Sequence, residues 1–435
     1  MSRRIPKRVL VAFGGLFVAW LLLILFFDPD LVDDADLALP AREIDPAQNP
    51  FPEIRNLALS GEEREELVPV HLILRGDESF DPAFLESLLE KHKETLALFE
   101  RYAAMSDWQS DIPPDETDWE SAFGYLSAWQ SVIRLKRVEA IRHASLGDHA
   151  AAFDSALSLF DFAGRLQSSE VAIIGSLVAN GIAHHGAQTM LDLLARSDVE
   201  ASVLDTVAND LDRILSDPAT LATVFRAEYQ FKSRATIDLH PNDLARLLLP
   251  FVYKKNRSLA LHANLLRVAI DVSDEDFGTF SRAVDAALPT GRWEAWAQTL
   301  SGNAFGYEGF LKMPTSLNIV ASRDFQRRSI LGLLRLRVAL KRYRLQHDRW
   351  PENLAELVPD FLDEIPKDWM DGKPLRYDAA GRRIYSVGED LIDSGGVAPD
   401  KAGSLKSRRE IVIELDPATP RPRLDFPQRS VPPAE

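Results

Sequence analysis

Glu228 is the acidic residue whose sequence surroundings would best suit catalysis. It lies in a moderately apolar stretch with helical periodicity, where burial would favour the protonated carboxyl that a general acid needs. An ion pair or an exposed helix face explains the same pattern. Glycoside cleavage would need a second carboxylate at a defined separation. The aromatic residues between positions 293 and 310 could line the cleft of such an enzyme.

Other catalytic patterns are missing from the sequence. It contains no G-x-S-x-G elbow, no H-E-x-x-H motif, no G-x-G-x-x-G and no P-loop. It also contains no cysteine, which excludes disulfides, thiolate metal ligands and a cysteine nucleophile. His184 and His185 are adjacent, so on a helix their side chains point about 100° apart and suit a helix surface or packing better than one shared metal ion. We therefore predict no catalytic residue and no cofactor-binding residue, although enzyme activity stays open.

The composition limits the class of protein and of partner. The chain has 435 residues, of which 46% are hydrophobic and 27% are charged. This balance is typical of folded protein and excludes a disordered polymer or a multi-pass membrane protein. The formal net charge is −16, which argues against a broad nucleic-acid surface. We predict no nucleic-acid partner.

An apolar run at residues 9–27 is the strongest single feature of the chain. Its 19 residues would span about 28 Å as a helix, close to the ~30 Å hydrocarbon core of a bilayer. Four basic residues precede it and five aspartates follow it within ten positions, which places residues 1–8 in the cytoplasm. We predict a single-pass signal anchor in the inner (cytoplasmic) membrane, with the bilayer as its partner and the bulk of the chain periplasmic. A cleaved signal peptide is the alternative, although its apolar region would be only about 7–15 residues long.

The next two segments are predicted to be a stalk and a helical body. Residues 28–80 are predicted to be an acidic, proline-containing stalk, because residues 28–66 hold twelve acids and three bases; this spacer is either extended by charge repulsion or a plain solvated linker. Residues 81–321 show helical periodicity and form a body of antiparallel helical hairpins. Gly147 and Asp148 mark one turn between helices, as a C-terminal and an N-terminal capping residue.

The remaining segments are predicted to form a loop, a long helix, a small α+β module and a disordered tail. Residues 289–315, rich in glycine and aromatic residues, are predicted to be an irregular loop packed on a core, and the alternatives are a cleft wall or a segment near the membrane interface. Residues 322–415 combine a long amphipathic helix at 322–345 with a small α+β module, and residues 416–435 are a disordered proline-rich tail. The basic side of the helix either binds an acidic partner or covers apolar surface as a solvated face. The predicted fold class is therefore mainly α, with an N-terminal transmembrane helix, an antiparallel helical-hairpin body and a small C-terminal α+β module.

Three runs in this C-terminal module carry a family resemblance. They are the runs from Tyr343 to Pro351, from Asp368 to Tyr377 and from Tyr385 to Asp390. In this order they resemble the globular part of the major pseudopilin of type II secretion, over residues 343–397. About 315 residues separate the apolar run from the module, and the apolar run holds no acid, so we predict that the chain is not a filament subunit. As a whole it looks like large helical bacterial membrane-anchored proteins of unassigned role.

The resemblance implies a calcium-binding loop after the last strand of the module. Calcium takes six to eight oxygen ligands, and here the chain offers Glu389, Asp390, Asp393 and Ser394. An acidic, glycine-containing turn that is capped by its own side chains is the alternative. The sequence therefore leaves a calcium site as a hypothesis for these four residues.

The functional expectation combines the anchor, the helical body and the module. We expect a membrane-anchored extracytoplasmic helical scaffold or adaptor with an unidentified protein partner. The pseudopilin resemblance implies an association with a secretion or pilus-like machine. The alternative is a cell-envelope hydrolase with a carboxylate-based site in the helical body.

Overall fold

The structure is a computed structural model that describes residues 15–22, 27–28, 32–57, 59–68, 70, 74, 82–110, 119–196, 198–216, 221–234, 251–288, 292–396 and 410–416. It is mainly helical with a small antiparallel sheet, which confirms the predicted fold class in that coarser form. Within these residues, no helix has the length and apolarity that crossing a bilayer requires. Most of the predicted span, the tail at 1–8 and the tail beyond 416 lie outside the described residues.

Helices follow one another along most of the described chain, and residues 15–22 are also helical. In chain order the others are α1 (Gly61–Glu66), α2 (Pro82–Lys91), α3 (Lys93–Ala104), α4 (Trp119–Ser145), α5 (His149–Ser168), α6 (Ile173–Leu194), α7 (Ala201–Leu215), α8 (Leu221–Arg234), α9 (Lys255–Asp271), α10 (Phe277–Ala286), α11 (Arg292–Leu300) and α12 (Ala304–His347). Short 3-10 helices lie at Ala35–Leu37, Pro46–Gln48, Ile54–Leu57 and Leu354–Leu357.

Local capping chemistry sets the boundary between α4 and α5 where the sequence predicted it. Gly147 adopts a positive φ of 81° between α4 and α5, a conformation that favours glycine. The Asp148 carboxylate then accepts a hydrogen bond from the Ala151 amide at 3.1 Å and caps α5. Asp276 caps α10 in the same way, through the Thr279 amide at 2.9 Å.

Helix α12 holds the molecule together because two hydrophobic cores share it. Its first half, from Tyr307 to Phe325, packs with α8, α9 and α10 in one core. Its second half, from Ile330 to Tyr343, packs with α2 to α7 and with the C-terminal module in the other. The predicted boundary between residues 321 and 322 therefore falls inside one continuous helix.

The C-terminal module carries a three-stranded antiparallel sheet. Its strands are β1 (Arg376–Asp378), β2 (Arg383–Ser386) and β3 (Ile411–Glu414), in the order β1-β2-β3. Ile384 and Ile413 are paired across β2 and β3, and both are buried against the core of the body. The module is therefore packed on the body through one apolar face of its sheet.

The acidic segment at 28–80 differs from the extended stalk that its charge predicted. Leu37 is buried in the core around α8 to α10, while Phe51, Ile54 and Leu57 are buried in the other core. Asp36 of this segment forms an ion pair with Arg267 of the body at 2.7 Å. Scattered apolar residues therefore fix this segment on the body in spite of its net charge.

The predicted loop at 289–315 and the predicted helix at 322–345 also differ from the structure. The loop region forms α11 and the first turns of α12, and α12 runs through Pro314 without a break. Tyr307, Phe310 and Leu317 recur at helical spacing and are buried, so tertiary packing keeps the helix continuous where glycine and proline content favoured a loop.

Candidate functional site

The basic side chains in the second half of α12 hold neighbouring elements of the body. They were predicted either to bind an acidic partner or to form a solvated face. In the structure they bind other groups of this chain. Arg335 forms an ion pair with Asp212, and Arg342 forms one with Asp205, both at 2.7 Å. Arg337 donates a hydrogen bond to the Leu415 carbonyl at 2.8 Å, and Lys341 donates one to the Leu194 carbonyl at 3.0 Å. Burial lowers the pKa of Lys341 to about 8. These residues are therefore mainly structural.

A buried carboxylate on α12 joins this helix to α5. Asp324 is fully buried and accepts hydrogen bonds from Gln167 at 2.8 Å, Arg327 at 2.8 Å and Arg328 at 2.7 Å. Burial acts to raise the pKa of Asp324, but the charges of Arg327 and Arg328, together with the hydrogen bonds from Gln167 and Arg327, outweigh it, so the pKa is lowered. The cluster thus consists of an ionised acid matched by two cations.

A second buried carboxylate joins the C-terminal module to α12. Asp368 Oδ1 accepts hydrogen bonds from Ser386 Oγ at 2.7 Å and Ser329 Oγ at 3.1 Å. Asp368 Oδ2 accepts from Arg376 Nη1 at 2.5 Å and from the Val387 amide at 2.9 Å. Ser329 belongs to α12, whereas the other partners belong to the module. The Asp368 carboxylate therefore fixes the orientation of the module on the helix.

The four residues predicted to bind calcium each make hydrogen bonds within the protein. Glu389 Oε1 accepts from Ser322 at 2.5 Å, and Asp390 accepts from the amide of Ile392 at 3.1 Å. The Asp393 carboxylate accepts hydrogen bonds from Tyr385 at 3.1 Å, from the Gly395 amide at 3.0 Å and from Arg376 at 3.3 Å. The Ser394 amide donates a hydrogen bond to Glu410. In the part of the chain that the structure describes, no three His, Asp or Glu side chains form a group that could hold a metal ion. The calcium site stays a prediction.

Glu228, the candidate general acid, caps a neighbouring helix. It is 6% exposed, and its Oε2 accepts a hydrogen bond from the Ile173 amide at the start of α6 at 3.2 Å. Its Oε1 pairs with Lys232 at 3.2 Å. Ala172, the residue before α6, has no side chain that could serve as a cap. Glu228 on α8 therefore supplies from another helix the acceptor that α6 lacks locally.

We expect Glu228→Ala to lower the free energy of unfolding by about 1–2 kcal/mol, because the Ile173 amide loses its acceptor in a buried position. The measurement is urea unfolding followed by circular dichroism. The control is Glu308→Ala, which removes an exposed pair with Lys312 and should cost no more than about 0.5 kcal/mol. Equal effects of the two substitutions would contradict the capping role.

The histidine pair of α6 has the packing role that its spacing indicated. The His184 and His185 rings lie 6.1 Å apart, tilted by 52°. His184 Nε2 lies 2.8 Å from the Gln188 side-chain amide, and His185 Nδ1 lies 3.4 Å from Arg137. Burial, with the charges of Arg137 and Arg323, lowers the pKa of His184 to about 3. The ring is therefore neutral at physiological pH.

A cleft of about 600 Å³ lies where the C-terminal module meets the body, and sequence reasoning missed it. The long helix α12 forms its floor through residues including Arg328, Leu331 and Arg335. The end of α7 forms one wall, with Ile214 and Leu215. The module forms the other wall with Leu362, Asp363, Glu364, Pro366, Lys367 and Trp369. We refer to this feature as the junction cleft.

The junction cleft is lined by apolar side chains, among them Leu215, Leu331 and Leu362, and by charged side chains of both signs. The Trp369 ring lies 4.3 Å from Lys367 Nζ and 4.9 Å from the Arg328 guanidinium, so two cations flank one indole. Lys367 also donates to the Glu275 carbonyl at 3.2 Å, which ties the wall to the loop before α10. Such a cleft suits a peptide segment with an apolar side chain between charged ones.

Gly332 allows the module to approach α12 beside the junction cleft. A Cβ atom at this position would lie 3.1 Å from Leu375 Cδ1 and 3.3 Å from Pro366 Cβ, which is tighter than ordinary contact. Pro366 also lines the cleft. The absence of a side chain at Gly332 therefore sets the position of the cleft wall.

Comparisons with known proteins give no family for the chain. No protein-family model matches it, and no curated protein or solved structure is significantly similar to it. The resemblance of residues 343–397 to the major pseudopilin consequently stays a hypothesis based on its sequence motifs.

Proposed function

We propose that this protein is a membrane-anchored, non-enzymatic adaptor whose junction cleft holds a segment of a protein partner. Residues 9–27 anchor it in the inner membrane with the N-terminus in the cytoplasm, and the body and module act on the extracytoplasmic side. The single observation that carries the adaptor role is the cleft itself. It combines apolar lining residues, a cation-flanked tryptophan and acidic rims on a framework that ion pairs of buried carboxylates hold in place.

The framework around the cleft supports a docking role because its parts are fixed before a partner arrives. Asp324 joins the floor to α5, Arg335 joins it to α7, and Asp368 joins it to the module. A preformed cleft avoids much of the entropy cost of ordering its walls on binding. A partner segment would therefore meet both walls in their final positions.

The carboxylate hydrolase has less support than the adaptor. Both oxygens of Glu228 have structural partners, Ile173 and Lys232. The aromatics proposed to line its cleft divide between different environments, because Trp293 and Trp296 are exposed whereas Tyr307 and Phe310 are buried. Association with a secretion or pilus-like machine is part of the adaptor proposal and depends on the pseudopilin resemblance alone.

Site-specific photocrosslinking in cells tests the adaptor proposal. A benzophenone amino acid replaces Glu364, which is exposed on the module wall of the cleft, and Glu352, which is exposed on the module outside the cleft. We expect position 364 to form a crosslink to one protein partner that position 352 does not form. The partner peptide, identified by mass spectrometry, should contain an apolar residue flanked by charges.

A charge reversal inside the cleft serves as the matched variant. Lys367→Glu should abolish at least nine-tenths of the crosslink. It replaces the cation beside Trp369 with a negative charge, which has the same sign as the acidic residues at the rims of the cleft. Lys373→Glu makes the same charge change at a highly exposed position of the module and should leave the crosslink unchanged. Equal yields at 364 and 352, or a crosslink only to residues 417–435 of the same chain, would contradict a partner-docking cleft.

A further inference from the structure

Helix α11 carries an apolar face that no other part of the described chain covers. Trp293, Trp296 and Leu300 recur at helical spacing and therefore share one side of the helix. The two tryptophans are 86% and 59% exposed. Phe305, at the start of α12, and Val252, whose carbonyl accepts its amide at 2.8 Å, are also exposed. Soluble proteins seldom leave such a set of large apolar side chains in water.

The same end of the molecule holds the apolar N-terminal helix. The indole Nε1 of Trp20 donates a hydrogen bond to the carbonyl of Leu300, the last residue of α11, at 3.0 Å. Asp28, which follows the apolar run, accepts the Asn256 amide in the first turn of α9 at 3.1 Å. The end of the run is thus attached directly to the body. A bilayer around the run would therefore meet α11.

The position of this contact agrees with a helix that lies in the membrane interface. Trp20 precedes Phe27, the end of the apolar run, by seven positions, which corresponds to about 10 Å in the proposed anchor helix. Interfacial helices bury their apolar face about 5–10 Å into the boundary between headgroups and acyl chains. Tryptophan is also the side chain most typical of this layer, because its ring is apolar and its N–H is polar.

We propose that α11 is an interfacial helix that inserts Trp293, Trp296 and Leu300 into the extracytoplasmic leaflet beside the anchor. The occupant of this face is therefore lipid, not a second copy of the chain or another protein. The proposal rests on the membrane anchor of the proposed function. It adds a second lipid contact, which fixes the orientation of the body, and with it the junction cleft, relative to the bilayer.

Spin labelling of the full chain tests this proposal, and the lack of native cysteine makes each introduced thiol unique. Val18→Cys reports on the anchor and Trp296→Cys on α11. Leu146→Cys, at the exposed turn between α4 and α5, is the control. Each labelled protein is reconstituted in vesicles of phosphatidylethanolamine and phosphatidylglycerol. Electron paramagnetic resonance then compares collisions with O2, which concentrates in lipid, and with a water-soluble nickel chelate.

We expect labels at 18 and 296 to collide preferentially with O2, with the label at 18 deeper, and the label at 146 to collide preferentially with the nickel chelate. A lipid-exposed label at 18 with a water-exposed label at 296 would overturn the interfacial helix and leave the anchor intact. Water exposure at both positions would overturn the anchor and the interfacial helix together. Spin–spin coupling between labels at 296 would assign the face to a second copy and overturn the lipid contact.

Discussion

Replacing Asp368 with alanine is expected to lower the free energy of unfolding by about 3–5 kcal/mol, the cost of breaking a buried ion pair. The substitution leaves Arg376 without its most buried partner, and the Val387 amide and the hydroxyls of Ser329 and Ser386 without their shared acceptor. Because these donors come from both α12 and the module, the loss should be largest in the contact between them.

Urea unfolding measures the total effect, and amide hydrogen exchange measures where it occurs. Protection should fall in the module from Arg376 to Val387 and remain in α5 and α6, which pack in the body. Asp360→Ala, at an exposed position of the same module, is the control and should change stability by no more than about 0.5 kcal/mol. A loss below about 1 kcal/mol for Asp368→Ala would show that the carboxylate does not hold the module.

The parts of the fold that the sequence predicted well are those that local chemistry decides. The turn between α4 and α5 needs a glycine at positive φ and an acceptor for a free helix amide, and Gly147 and Asp148 supply both within two positions. The cap of α5 by Asp148 depends on residues only three apart. Such features need no knowledge of distant contacts, so periodicity and capping residues suffice to predict them.

The parts that were predicted wrongly depend on contacts between distant residues. Charge and proline content favoured an extended segment at 28–80, but Phe51 and Ile54 are buried in a core, and burial of large apolar side chains is favourable. Arginines distant in sequence also compensate those acids, as Arg267 does for Asp36 across 231 positions. A local sequence pattern does not show which distant arginine will pair with an acidic residue.

The candidate sites also divide into features that the local sequence indicated and features that depend on contacts between distant residues. The motif runs of the C-terminal module include Asp368, Ser386 and Val387, and the structure brings these three residues into direct hydrogen bonds. Their chemistry there is the attachment of the module to α12. The junction cleft was missed because α7, α12 and the module each contribute one side of it. The basic residues of α12 were the only sequence feature that pointed to this region. Basic residues alone do not distinguish the floor of a cleft from a set of structural ion pairs.

The second large effect is expected at Asp324, where Asp324→Asn should lower the free energy of unfolding by about 3 kcal/mol at pH 7. The amide keeps the shape of the side chain but removes the fully buried negative charge that Arg327 and Arg328, at the edge of the junction cleft, both contact, and breaking such an ion pair is costly. Asp271→Asn, at an exposed position at the end of α9, is the matched control and should have almost no effect.

The pH dependence of this difference identifies its cause. The native pKa of Asp324 lies below its ordinary value of 3.8, so the unfolded chain binds the proton more readily than the native protein does. The stability that the ionised carboxylate supplies is therefore fully present above pH 3.8 and is lost as the pH falls through the lower native pKa. The difference between wild type and Asp324→Asn, measured by urea unfolding at a series of pH values, should be constant from pH 7 to about 5 and shrink below about 4. A difference that stays constant down to pH 3, or that grows there, would mean that packing of the side chain, and not its charge, joins α12 to α5.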